Sequence, residues 1–125
     1  MLSDCAMRYL LAIYALSRGQ HALRSVQIAR ELEVSRASVA KMLKALGQEG
    51  LVAKEYYSNV CLTPKGVQIA GALHAQYRQL LHFYAHQVGL DEKDAKQDAI
   101  CSLCALSEKS KRWMMQFGGL AAAAP

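Results

Sequence analysis

Between Ser35 and Gln48 the chain spaces short and cationic side chains as contact with a polyanion would require. At the helical repeat, Ala37, Lys41, Lys44 and Gln48 share one arc, with Arg36 and Ser38 at its margins. Val39, Met42, Leu43 and Leu46, at i, i+3, i+4 and i+7, gather on the opposite arc. An arginine can bond a guanine edge with two N–H groups, a lysine neutralises phosphate, and small residues let the backbone approach the bases. Arg36 is therefore the expected guanine reader and Lys41 a phosphate contact. Ser35, Ala37 and Ser38 line the helix tip, and Lys44 adds a further phosphate contact. The plainer alternative is a solvated helical hairpin whose lysines only keep it soluble.

Other donor sets are sparser. Cys101 and Cys104, at i, i+3, share a helical face that suits a soft metal, haem or an oxidant, although cysteines also pack as small apolar residues. His82 and His86, at i, i+4, have metal-ligand spacing; a polar flank beside an apolar stripe explains them equally. There is no Gly-rich phosphate loop, no H-E-x-x-H and no serine nucleophile elbow, which argues against an enzyme.

The elements that must position the cationic arc are legible around it. A first helix spans about Leu2 to Ser17 and stops at Gly19, with Met7, Leu10, Leu11 and Tyr14 as its stripe. After a short link at Leu23-Arg24, Ser25 caps a second helix, Val26 to Leu32, which turns Ile28, Ala29 and Leu32 inward. Ser35 caps the third helix, and Gly50 ends it in a left-handed conformation. Leu51–Lys54 and Val60–Leu62 then read as short strands around the turn Tyr56-Tyr57-Ser58-Asn59. Two helices followed by a hairpin make a winged helix-turn-helix, whose wing carries Lys54, Tyr57 and Asn59 towards phosphate or the minor groove.

Thr63-Pro64 opens a long helix running to about Gln87 and ended by Gly89. Its stripe is Ile69, Leu73, Tyr77, Leu80, Leu81, Tyr84 and Val88. Asp91 caps a fifth helix, and Ser107 caps a last one bearing Trp113, Met114 and Phe117 before Gly118-Gly119. The fold class is thus mainly α with a small β-wing: a winged helix-turn-helix at 1–63, a helical dimerisation or effector module at 64–117, and a frayed tail at 118–125. The second module has more apolar positions than short helices can hide, so a homodimer through Trp113, Met114 and Phe117 is expected. Its two recognition helices would lie about 34 Å, or a multiple, apart on DNA.

Composition agrees with this division. Hydrophobic residues make up 53% of the 125 residues and charged residues 20%, a globular balance. Residues 1–66 hold nine Lys/Arg against five acids, and residues 67–125 hold six against five, so most of the net +5 sits with the helical hairpin. The N-terminus does not read as a secretory signal, and no uncharged run reaches the roughly 18 residues of a membrane span. Four scattered cysteines suggest reduced thiols and a cytoplasmic setting.

Tyr9-x4-Tyr14-x-Leu16, Ile28-Ala29-x-x-Leu32, Ser38-Val39-x-Lys41-Met42, Gly50-Leu51-Val52, Leu62-Thr63-Pro64-Lys65-Gly66 and Gly89-Leu90-Asp91-Glu92 follow one another in this chain. In that order they resemble the metal-dependent repressors of the diphtheria toxin repressor and manganese transport regulator type, over about residues 7–117. The resemblance implies a homodimeric regulator, usually a repressor, that binds double-stranded DNA and takes manganese or iron between its first, long and fifth helices. Its ligand positions fall here on Arg8 and Leu11, on Tyr77, and on Ile100, Leu103 and Cys104. Cys104 alone is a donor suited to binding a metal, so the expectation is a metal-independent relative or one that senses something else. Asp4 and Cys5 lie one turn ahead of the first-helix positions and would substitute if the register slips. The alternatives are a winged-helix protein-interaction subunit and a cysteine-based redox or soft-metal sensor.

Overall fold

The computed structural model describes residues 2–18, 23–54 and 59–123, with side chains to Gln116. They form two compact units, Met1–Ala72 and Leu73–Pro125, so the division falls inside the long helix, beyond Thr63.

The first unit begins with α1 (Asp4–Leu16), whose N-cap is Ser3: its side chain accepts from the Ala6 N–H at 3.1 Å. A two-residue strand follows, β1 (Leu23–Arg24), where the sequence suggested only a link. The second helix, α2 (Ser25–Leu32), therefore takes Arg24 as its cap residue rather than Ser25, and the Arg24 N–H donates to Gln27 Oε1 at 2.8 Å. The third helix, α3 (Arg36–Gln48), is capped by Ser35, whose Oγ accepts from the Ser38 N–H at 3.0 Å. Gly50, at φ +75°, ends it: the left-handed turn lets Leu51 N–H reach the Leu46 carbonyl at 2.9 Å.

The wing strands are β2 (Val52–Lys54) and β3 (Asn59–Leu62), and the sheet is antiparallel in the order β1-β3-β2. Val52 lies opposite Leu62, Lys54 opposite Val60, and Arg24 opposite Asn59. Asn59 is thus in a strand, not in the turn. Tyr57 and the rest of that turn lie outside the described residues.

The fourth helix, α4 (Pro64–His82), starts at Pro64, with Thr63 accepting from the Gly66 N–H at 3.0 Å. The core of the first unit includes Tyr9, Leu10, Ile13, Leu23, Ile28, Val39, Leu43, Leu46, Leu51, Val60 and Ala70. Burying each of the larger aliphatic side chains contributes about 1.5–3 kcal/mol. The apolar back of α3 is thereby fixed, with Val39, Leu43 and Leu46 buried and Met42 half-buried.

In the second unit α4 ends at His82 and the chain widens into a π-helical segment, Phe83–Val88, which the sequence pattern read as uninterrupted α-helix. Gly89, at φ +84°, closes it. Val88, placed on the long stripe, is 52% exposed. The fifth helix, α5 (Glu92–Ala105), is capped by Asp91, whose Oδ1 accepts from the Asp94 N–H at 2.8 Å. The last, α6 (Glu108–Ala123), continues through Gly118-Gly119, where the sequence suggested a stop. Leu80, Ala95, Ala99, Leu103 and Met114 form the apolar core, tied by a 2.6 Å hydrogen bond between the Tyr84 and Ser102 hydroxyls. Lys111 is also buried: it donates to the Leu103 carbonyl near the end of α5 at 3.1 Å and pairs with Glu108 at 2.8 Å.

Candidate nucleic-acid interface

With its apolar back buried, α3 turns the other arc to solvent. Arg36, Ala37, Ser38, Lys41, Lys44 and Gln48 are all exposed, as is Ser35. Ser35 Oγ also donates to Ser38 Oγ at 2.9 Å, which pins the two hydroxyls at the helix tip beside Arg36. Among the described residues no intramolecular ion pair involves Arg36, Lys41 or Lys44. Three cations on one exposed arc, with no carboxylate partner among the described residues, suit an anion brought from outside.

The turn that aims α3 is set by Glu33, which adopts a left-handed conformation (φ 55°, ψ 48°). This places the Val34 N–H on the Ala29 carbonyl at 3.0 Å, capping α2 and reversing the chain. At the other end of α3, Lys65 donates to the Glu49 carbonyl at 3.3 Å. On the sheet, Lys54 is exposed at the end of β2 and Asn59 is half-buried in β3. Arg24, exposed on β1 opposite Asn59, is a further candidate contact, at a position that the sequence pattern assigns to a link. Its only signal was a lone cation before the α2 cap.

Of the candidate metal donors, His82 and His86 lie side by side, with 4.2 Å between ring centroids. Among the described residues no group of three or more His, Cys, Asp and Glu side chains could hold an ion. In the first unit, Asp4 and Cys5 are exposed at the start of α1, while Arg8 is half-buried and Leu11 is buried. In the second unit Leu103 is buried, Ile100 and Cys104 are half-buried and Cys101 is exposed. None of the four cysteines is in a disulfide. Tyr77 is half-buried, and burial raises its hydroxyl pKa above the usual 10.0, with Lys96 opposing and Glu92 adding. It is a neutral phenol, a poor ligand for manganese or ferrous iron. The residues at these positions do not fit such an ion.

Of the residues expected at a dimer face, Trp113 is 57% exposed and Met114 is buried in the core of the second unit. The side chain of Phe117 lies outside the described residues. Phe83, Leu106, Lys109 and Ser110 join Trp113 and Met114 around an open groove. No helix among the described residues is long and apolar enough to cross a membrane.

Comparison with known proteins agrees with this geometry. The family described as "Iron dependent repressor, N-terminal DNA binding domain" matches residues 1–60. The HTH-type transcriptional regulator MntR of Lysinibacillus sphaericus is 34% identical over 86 residues, covering 69% of this chain and 61% of that protein. The HTH-type transcriptional regulator MJ0568 of Methanocaldococcus jannaschii is 29% identical over 109 residues, covering 86% and 87%. Among solved structures, the manganese regulator SloR superposes with a TM-score of 0.78 at 26% identity, over 94% of this chain and 54% of that one. The chain thus spans about half the length of SloR and under two thirds of MntR. Residues 1–60 belong to the iron-dependent repressor family, as its N-terminal DNA-binding domain.

Proposed function

We propose that this chain is a cytoplasmic, sequence-specific DNA-binding transcriptional regulator that works as a homodimer and acts as a repressor. The observation that carries the reading is the exposed arc of α3, where Arg36, Lys41 and Lys44 form no ion pair among the described residues and stand over a buried apolar back. Inserted in a major groove, Arg36 reads guanine, Lys41 and Lys44 hold phosphates, and Ala37 and Ser38 let the helix tip approach the bases. Lys54 and Asn59, joined by Arg24, contact the flanking backbone from the sheet. Exposed Trp113 and the groove beside it supply the apolar surface for a twin chain.

Manganese or iron, suggested by the names of the relatives, finds no donor set at Arg8, Leu11, Tyr77, Ile100, Leu103 and Cys104. The regulator is therefore read as independent of those two ions. Binding to mixed-sequence duplex at increasing salt tests the DNA reading. Affinity should fall with a log–log slope near −0.9 per phosphate contacted, and chelation should leave it unchanged. Absence of duplex binding at low salt would instead favour a protein-interaction module.

A further inference from the structure

We propose that His82 and His86 form a binding site for a late first-row divalent cation of the nickel, copper and zinc class, with water completing the coordination. The two rings lie 4.2 Å apart between centroids and are tilted by 37°. Two imidazole nitrogens on one ion at about 2.1 Å place their ring centroids roughly 4–5 Å apart, a separation that this pair matches.

The second observation is independent of that spacing. Nε2 of His82 is buried without a hydrogen-bond partner, the one such side-chain atom among the described residues. Buried ring nitrogens are ordinarily satisfied, and one left bare calls for a partner. His86, stacked beside it, is exposed, so its half of the pair is reached from solvent. The backbone also departs from the regular α-helix at this point, where Phe83–Val88 forms a π-helical segment. Such segments occur frequently at functional sites. Neutral imidazoles favour nickel, copper and zinc, whereas manganese prefers oxygen donors, and no carboxylate is part of the pair. The pair shares no residue with the positions Tyr77, Ile100, Leu103 and Cys104, and it does not depend on the DNA reading.

The test is calorimetric titration of the full chain with Ni²⁺ and, separately, Mn²⁺, without DNA. A parallel titration uses the Cys101→Ser, Cys104→Ser double variant, because thiols compete for nickel. Ni²⁺ should bind the wild-type and cysteine variants alike, and Mn²⁺ neither. His86→Ala, at an exposed position, should weaken Ni²⁺ binding tenfold or more while leaving the circular dichroism unchanged. The imidazole NMR signals of His82 and His86 should shift together on titration. Equal affinity in His86→Ala, or loss of binding in the cysteine variant alone, overturns the proposal; neither result bears on duplex binding.

Discussion

Gly66 lies directly against Leu51: a Cβ at position 66 would overlap the Leu51 carbonyl oxygen. Thr63 holds this junction closed. Its N–H donates to that same carbonyl at 3.0 Å, and its hydroxyl donates to the Gly50 carbonyl while accepting from Gly66 N–H. The start of α4 is thus clamped onto the segment that leaves α3. Alanine at 66 gains about 1 kcal/mol in helix propensity, but the overlap is with backbone, which cannot swing aside. Gly66→Ala should destabilise the first unit by about 1–3 kcal/mol, measured by urea denaturation followed by circular dichroism. A neutral or stabilising result would contradict this packing.

The left-handed backbone of Glu33 carries an opposite expectation. A side chain in that region costs roughly 1–2 kcal/mol, and glycine adopts it freely while losing about 0.4–1 kcal/mol of unfolded-state advantage. Glu33→Gly should therefore stabilise the first unit by up to about 1 kcal/mol. Glu33→Val should lower its melting temperature. If the glycine variant is the less stable, the turn does not have this conformation.

Lys111 places a buried cation near the C-terminus of α5, where the helix dipole favours positive charge. Lys111→Met leaves the Leu103 carbonyl without that donor and should cost about 1–3 kcal/mol. The same pair sets a pH response. Its hydrogen bond to Lys111 holds Glu108 below the usual carboxylate value of 4.5. A depressed carboxylate contributes stability above its unfolded value and loses it as pH falls through the folded one. Acid titration below 4.5 should therefore weaken the second unit. The carboxylate is exposed, so the effect is small, and Lys111→Met should remove most of the Glu108 share of it, leaving the weaker pull of Arg112.

How much of this was legible in the sequence depended on how local each signal was. Ser35, Gly50, Gly89 and Asp91 mark helix ends through their own hydroxyl, carboxylate or missing Cβ, so single residues sufficed. The apolar back of α3 was equally readable, because its period repeats within one helix. β1 was not, since two residues have no period and Leu23-Arg24 becomes a strand only by pairing with Val60 and Asn59, far along the chain. The same pairing draws Asn59 out of the turn. The π-helical segment at Phe83–Val88 keeps a helical composition, so nothing in residue type announces it. Gly118-Gly119 suggests a stop because glycine weakens helices, yet α6 runs on to Ala123. For the candidate interface, the α3 arc was visible and Arg24 was not, because its position comes from the sheet.

Lys44 and Lys54, as phosphate contacts, should act alike on every sequence. Lys44→Ala and Lys54→Ala should each weaken binding evenly across duplexes and lower the salt slope by about one contact, or 0.9. Fluorescence anisotropy on several unrelated duplexes checks this. A loss confined to one sequence would mean that these lysines read bases.

Base preference at the tip of α3 tests the central claim most directly. Selection of bound duplexes from a random pool, with the wild-type chain, Arg36→Ala and Lys44→Ala in parallel, should yield a defined site for the wild-type. Arg36→Ala should relax one position of that site at a cost of about 1–3 kcal/mol, and Lys44→Ala should leave the site unchanged but weaker. Indistinguishable profiles for the two variants, or no enriched site with the wild-type chain, would contradict α3 as the element that reads DNA.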